Sequence, residues 1–228
     1  MHRTSRALVV YARVPEIGRV KTRLQPRFTR EQSLRLHVAM LDDTLERMRA
    51  ACAGDATLWV SWSGAPPADP EPGAPARGLP WETQAGATLG ERMLATITAR
   101  CAGGFTHVVL IGSDTPHLPP SRVREAFDAL DTHDVVLGPS EDGGYYLLGV
   151  RRPHISMFDG MPWGEPAVLS ETRVRLRQAA LSCHELERLY DIDTPEDALR
   201  LWKGPDPEPV PHRTRGVLRE LFGDQSAG

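Results

Sequence analysis

Lysine is nearly absent from this 228-residue chain: of its 27 basic residues only Lys21 and Lys203 are lysine, and the other 25 are arginine. Cysteine is also scarce. Cys52, Cys101 and Cys183 are odd in number, far apart and without CxxC spacing, which argues against a disulfide framework and a cysteine-held zinc site. Long apolar runs are missing too. The stretch Ala7 to Ala12 stops at Arg13, too short for a signal-peptide core, and no segment approaches the ~18 apolar residues that cross a bilayer. Nor is there a surplus of positive charge. The 27 Lys+Arg stand against 30 Asp+Glu, a net charge of −3, which removes any global argument for nucleic-acid binding. These absences predict a cytoplasmic protein with neither nucleic acid nor membrane as a partner.

What is present is globular. Hydrophobic residues at 40% and charged residues at 25% exclude a disordered chain. At about 150 residues per domain the length suits one generous domain, expected over 1–203. A proline-rich tail over 204–228 is expected to carry a short helix near 215–222. The run Ala7 to Ala12 reads as a buried strand. Thr29 with Gln32 forms a capping box before an amphipathic stripe of Leu34, Val38, Leu41, Leu45 and Met48, the pattern of a helix. A strand over 56–63 precedes residues 64–80, whose six prolines mark a surface loop. Thr88 with Glu91 caps a helix that Gly103-Gly104 stops. Residues 106–111, apolar on both faces, read as a central parallel strand. A helix is expected over 120–130, strands over 134–138 and 144–150, a helix near 166–180, a strand near 182–187 and a last core helix from Pro195. Strands alternating with helices predict an α/β fold with a mostly parallel sheet. In such sheets ligands sit outside the carboxyl ends of the strands.

The loop after the first strand reads Gly18-Arg19-Val20-Lys21-Thr22-Arg23-Leu24. Between Arg13 and Arg35 stand seven basic and two acidic residues. A glycine, a hydroxyl and several cations at a strand's end suit a polyphosphate, and they also describe a solvated basic loop. Lys21 is the core's sole lysine, a compact point charge in a chain that otherwise uses arginine. The loop matches neither a Walker A motif nor a GxGxxG fingerprint. Ala12, Arg13, Gly18, Lys21, Thr22 and Arg23 are the nucleotide-binding candidates, with Lys21 and Arg23 on the phosphates.

Three acidic segments complete the set. Asp114, in Gly112-Ser113-Asp114-Thr115-Pro116, follows the central strand, where an aspartate serves as a Mg²⁺ (or Mn²⁺) ligand or as a turn residue. In Asp191-Ile192-Asp193-Thr194-Pro195-Glu196-Asp197 the helix start accounts for Thr194 onward. That leaves Asp191 and Asp193 unused, and Asp193 is the second metal candidate. Asp142-Gly143-Gly144 reads equally as a hairpin turn and as a place where a substrate meets bare backbone. His117, close to Asp114, reads as a structural histidine before a substrate contact. There is no GxSxG elbow, no HExxH and no cysteine beside a recognisable histidine partner.

Taken as an ordered set, Tyr11-Ala12-Arg13, Gly18 to Leu24, Leu89-Gly90-Glu91-Arg92, Gly112 to Pro116, Glu141 to Gly149 and Asp191 to Asp197 resemble one family. The sequence is similar to the bacterial radical-SAM/selenodomain-associated transferases, GT-A-type glycosyltransferases of the nucleotide-diphospho-sugar transferase superfamily. The resemblance spans about residues 7–202. It implies a GT-A three-layer α/β/α sandwich with a mostly parallel mixed sheet, a nucleotide beside the first strand and a divalent metal at Asp114. More distantly, Lys21-Thr22-Arg23-Leu24 is similar to the loop of 2-phospho-lactate guanylyltransferases and molybdenum-cofactor nucleotidyltransferases. Ser113, Thr115 and Gly164-Glu165 depart from the family pattern. The expected function is a metal-dependent transferase using a nucleoside triphosphate or a nucleotide-sugar with a small-molecule acceptor. Nucleotidyl transfer is placed first, glycosyl transfer second and a catalytically silent nucleotide-binding module third.

Overall fold

The computed structural model describes residues 5–52, 54–66, 76–204 and 210–223. Its strands are β1 (Arg6–Ala12), β2 (Ala56–Trp62), β3 (Trp81–Thr83), β4 (His107–Gly112), β5 (Val135–Pro139), β6 (Tyr145–Val150) and β7 (Cys183–Glu185). The helices are α1 (Arg30–Cys52), α2 (Leu89–Ala102), α3 (Pro120–Ala129), α4 (Val168–Gln178), α5 (Pro195–Lys203) and α6 (His212–Phe222). All seven strands form one sheet in the order β3-β2-β1-β4-β6-β5-β7. Only β6 runs antiparallel to its neighbours β4 and β5.

Alternation along the strands builds the layers. Leu8 and Val10 of β1 face the side covered by Leu41, Leu45 and Met48 of α1 and Phe127 of α3. Val9, one residue out of phase, faces Met93 and Ile97 of α2 and Leu169 and Leu176 of α4. The period of two along a strand thus gives a three-layer α/β/α sandwich with a mostly parallel sheet, the expected architecture. A third apolar cluster joins α1 to the C-terminal helices, with Phe28, Leu36 and Met40 against Ile192, Leu201, Leu218 and Phe222.

Local signals set most boundaries. The Thr29 backbone N–H donates to Gln32 Oε1 at 2.8 Å and the Gln32 N–H returns to Thr29 Oγ1 at 3.2 Å. Thr194 and Asp197 make the same reciprocal box at α5, with Pro195 in the first turn. At α2 the Glu91 N–H donates to Thr88 Oγ1 at 3.2 Å, but the Glu91 carboxylate takes the Ala87 N–H at 2.7 Å instead of that of Thr88. The differences are few and have causes. The short strand β3 lies just past the expected loop and is held by its pairing with β2, where the Val60 N–H donates to the Pro80 carbonyl. The tail helix begins at His212, three residues before the expected start. The proline-rich segment expected as a loop falls largely on 67–75, and the tail prolines Pro205, Pro207 and Pro209 on 205–209, all outside the described residues. No described helix is long and apolar enough to cross a membrane.

Helix α6 is capped by another helix. Asp43 of α1, 1% exposed, accepts the Thr214 N–H at 2.7 Å and the Arg213 N–H at 3.3 Å. Those first-turn N–H groups have no partner inside α6, and a buried carboxylate there is the strongest acceptor available. Replacing Asp43 by Ala strands both donors, so Asp43→Ala is expected to cost about 2–3 kcal/mol in urea unfolding. A loss below about half a kcal/mol would show that α6 holds without this cap.

Candidate functional site

The loop from Arg13 to Lys21 leaves the carboxyl end of β1, and Val20 and Leu24, both buried, press it onto the core. Between them the chain takes one left-handed residue, Lys21 (φ 48°, ψ 42°), before a single 3₁₀ turn over Thr22–Leu24. Only a few per cent of non-glycine residues adopt that conformation, so something must hold it. The Lys21 ammonium does so. Its Nζ lies 2.7 Å from Asp114 Oδ1, 3.0 Å from Asp193 Oδ1 and 2.6 Å from the Ile192 carbonyl. An ammonium has three protons, and here each has an acceptor.

This brings the sequence-predicted Lys21, Asp114 and Asp193 into direct contact and corrects the expected orientation. The Lys21 side chain is 4% exposed, whereas those of Asp114 and Asp193 are 39% and 37% exposed. The carboxylates meet solvent and the ammonium lies beneath them. Burial alone would raise the Asp114 pKa, but the charge and hydrogen bond of Lys21, with His37 and Arg13 beyond, bring it below the usual carboxylate value. Burial disfavours the charged Lys21, and the two carboxylates outweigh it and raise its pKa. With one positive and two negative charges, the cluster carries a net charge of −1.

Asp191 occupies the layer below. Its oxygens accept from Thr115 Oγ1 at 2.6 Å and Ser140 Oγ at 2.8 Å, tying the loop after β4 to the loop after β5. Next to it the Ile192 N–H donates to the Asp114 carbonyl at 2.9 Å. Burial pushes the Asp191 pKa up, and the two hydroxyls only partly offset this. It is a positioning group, and its neighbour Asp193 is the one that reaches Lys21.

Beside the cluster opens a cleft of about 670 Å³ between the carboxyl ends of β1, β2 and β4, with Asp114 in its wall. Arg13, Arg19 and Arg92 line it with Ala12, Ser63, Gln84 and Leu89. Arg92 is held in place, its Nε donating to the Gly86 carbonyl at 3.0 Å and its own carbonyl accepting from Tyr11 at 3.0 Å. The Tyr11 hydroxyl also lies 2.9 Å from Thr96 Oγ1, which donates to Glu82, and Glu82 pairs with Arg100. Arg100 in turn lies 3.7 Å from the centre of the Trp59 ring. This network ties β1, β2 and β3 to α2. Gly90 lets α2 approach Trp163 closely, since a Cβ there would lie 2.5 Å from the indole nitrogen. Buried His37 fixes Arg13 from behind, 3.2 Å from its carbonyl, and burial lowers its pKa so that the ring is neutral at pH 7.

Other expected residues lie elsewhere. Arg23 is 69% exposed and reaches Asp193 Oδ2 at 3.4 Å. Gly18 and Thr22 belong to the same loop but not to the cleft wall. Two of the cations between Arg13 and Arg35 serve the C-terminal helix: Arg27 stacks on Phe222, and Arg35 of α1 pairs with Glu220 at 2.5 Å. Asp142 accepts the Gly144 N–H at 2.9 Å, an Asx turn. At Gly143 (φ 90°) a Cβ would collide with the Pro166 carbonyl, so its bare backbone meets the start of α4. His117 packs on Tyr190, ring centroids 4.4 Å apart. Arg92, Gln84, Ser63 and His37 were not among the sequence candidates. Arg92 alone left a trace, in the Leu89-Gly90-Glu91-Arg92 stretch.

Among the described residues one trio of ligand-type groups converges, Asp43, Glu46 and His212. It is already engaged, because Asp43 caps α6 and Arg213 bridges Asp43 and Glu46. The Asp114–Asp193 pair is engaged as well, by Lys21, but it borders the cleft and offers the one or two carboxylates that Mg²⁺ takes when water and phosphate supply the rest. The two Oδ1 atoms lie close enough together for one Lys21 ammonium to contact both.

Asp191 provides a test of this framework. An amide keeps the shape and can still satisfy both hydroxyls, and it removes a charge that burial disfavours. A group whose folded pKa is raised costs stability as pH climbs through that pKa. Asp191→Asn should therefore gain on wild type in urea unfolding as pH rises from the ordinary carboxylate value of 3.8 to 7. Asp191→Ala should lose about 1–3 kcal/mol at both ends of that range. An asparagine variant that falls behind wild type at the higher pH would show that the charge itself is needed.

The family model described as "Uncharacterized protein conserved in bacteria (DUF2064)" matches residues 44–165. The chain is similar to a candidate nucleotide-diphospho-sugar transferase from Desulfovibrio desulfuricans G20. That crystal structure is 30% identical, with a TM-score of 0.84 over 95% of this chain and 94% of that one. It shares its fold with CMP:2-keto-3-deoxy-manno-octonic acid synthetase complexed with CTP, at 15% identity and a TM-score of 0.52 over 87% and 96% of the two chains. A cytidylyltransferase from Leptospira borgpetersenii serovar Hardjo-bovis has the fold too, at 14% identity and a TM-score of 0.51 over 98% of both. No curated protein matches the chain. By the family model, which covers more than half of its length, the chain belongs to the DUF2064 family of bacterial proteins.

Proposed function

We propose that this protein is a metal-dependent, nucleotide-using transferase, and within that class a nucleotidyltransferase. It would join a nucleoside triphosphate to a small phosphorylated or hydroxyl acceptor. The acceptor oxygen bonds to the α-phosphorus, the bond to the bridging oxygen of the β-phosphate breaks, and pyrophosphate leaves. The observation that carries this reading is a pair of partly exposed carboxylates held by a buried lysine, one of which, Asp114, stands in the wall of an arginine-lined cleft.

Each group has a task. Asp114 and Asp193 would hold Mg²⁺ or Mn²⁺, and a divalent cation there supplies charge neutralisation for the phosphates. Arg13, Arg19 and Arg92 bind phosphate oxygens in a cleft whose walls leave Arg92 little freedom. Electrostatic stabilisation by positioned groups is the main source of rate in phosphoryl chemistry. Before a metal binds, Lys21 favours the ionised form of Asp114 and holds both carboxylates in place. Ala12 and Ser63 offer a surface for the nucleoside beside β1. Gly18, Thr22 and Arg23 belong to the loop that carries Lys21, and Asp142, Gly143 and Gly144 would meet the acceptor only if it extends beyond the cleft.

One observation favours glycosyl transfer as a second reading, the 30% identity to a candidate nucleotide-diphospho-sugar transferase. The two reactions leave different products. With Mg²⁺ and panels of triphosphates, nucleotide-sugars and acceptors, acceptor-dependent pyrophosphate release supports nucleotidyl transfer. Release of a nucleoside diphosphate supports glycosyl transfer. Nucleotide binding without either product would identify a silent module. Asp114→Asn keeps the side chain's shape and removes its charge, so metal-dependent turnover should fall at least about a hundredfold. Its circular dichroism spectrum should match wild type. Unchanged turnover would remove Asp114 from the metal site.

A further inference from the structure

We propose that the Lys21 ammonium is a displaceable internal counter-ion, which gives up its oxygens on Asp114 and Asp193 when a divalent cation binds between them. This rests on the reading of Asp114 and Asp193 as the metal pair, and it adds what Lys21 must do when the pair is loaded.

Three observations lead there. The ammonium bridges Oδ1 of both carboxylates at 2.7 and 3.0 Å, and Asp193 Oδ2 faces Arg23 at 3.4 Å. Asp193 thus has no oxygen that does not already face a cation, and a metal joining both aspartates must take over part of that set. A Mg²⁺ ion draws its oxygens to about 2.0–2.1 Å. A lysine left in contact with the same oxygens would set a single positive charge within a few ångströms of a double one, which is strongly repulsive. The backbone supplies the third observation. Lys21 lies in the left-handed region, a conformation unfavourable for a side-chain-bearing residue and one that the head-group contacts offset. Once the head is released, the residue can return to an ordinary conformation. Its four-carbon stem then gives the ammonium reach towards the neighbouring cleft, where an anionic ligand would meet it.

The scarcity of lysine makes this measurable in the unaltered protein. Lys203 is exposed at the end of α5 and serves as an internal standard, so amine acetylation read by peptide mass spectrometry reports Lys21 against one reference side chain. Without metal, Lys21 should be strongly protected. Saturating Mn²⁺ should raise its acetylation rate relative to Lys203 by roughly tenfold or more. Mn²⁺ binding is measured in parallel by electron paramagnetic resonance, with Asp114→Asn as the control. Binding that depends on Asp114 while Lys21 stays protected overturns the displacement and leaves the metal pair standing. No Asp114-dependent binding overturns both. As an independent arm, Lys21→Met removes the competitor and should bind Mn²⁺ more tightly than wild type. Equal or weaker binding counts against displacement.

Discussion

A single buried ammonium holds together three stretches of chain that are otherwise distant. Lys21 comes from the loop after β1, Asp114 from the end of β4 and Asp193 from the approach to α5. Each charge would be costly to bury alone, and together they satisfy one another. The lysine spends all three of its protons on this task, and the price is an uncommon backbone conformation. In return both carboxylates are held at fixed positions and face outward. Chemistry that depends on charge placed in advance of the substrate needs this kind of support.

The cleft depends on a second, independent frame. Tyr11, Thr96, Glu82 and Arg100 form a chain of hydrogen bonds and an ion pair beneath it, and Arg100 lies against the face of Trp59. This frame fixes α2, and α2 presents Arg92. One wall of the cleft is therefore set by the lysine cluster and the other by a network centred on Glu82. The two frames share β1, which places Tyr11 in one and begins the loop of the other. A ligand filling the cleft would touch both.

Much of this could be read from residue order. The apolar runs of β1 and β4, the capping box at Thr29 and the helix start at Thr194 have local causes, and the structure reproduces them. β3 was not legible, because three residues with alternating exposure carry no run and exist as a strand only through pairing with β2. At the site, Lys21, Asp114 and Asp193 stood out one by one, yet Lys21 and Asp193 meet across 172 positions. No local pattern shows that the lysine would turn inwards. The surplus of cations near Arg27 and Arg35 pointed to phosphate, but those residues answer Phe222 and Glu220 at the other end of the chain. Asp191 has the opposite history, a residue left unexplained by the helix start that proves to be the tie between two loops.

The cap that α1 gives to α6 has a consequence for how the molecule forms. Asp43 and Thr214 are separated by 171 positions, and the face of α1 bearing Leu36 and Met40 is covered by residues from the same late segment. During synthesis that face must wait, uncovered, until almost the whole chain has emerged. Contacts so distant in sequence close slowly, and exposed apolar surface in the interval invites association with other chains. Nascent chains halted before residue 212 are the ones for which a holding chaperone matters most.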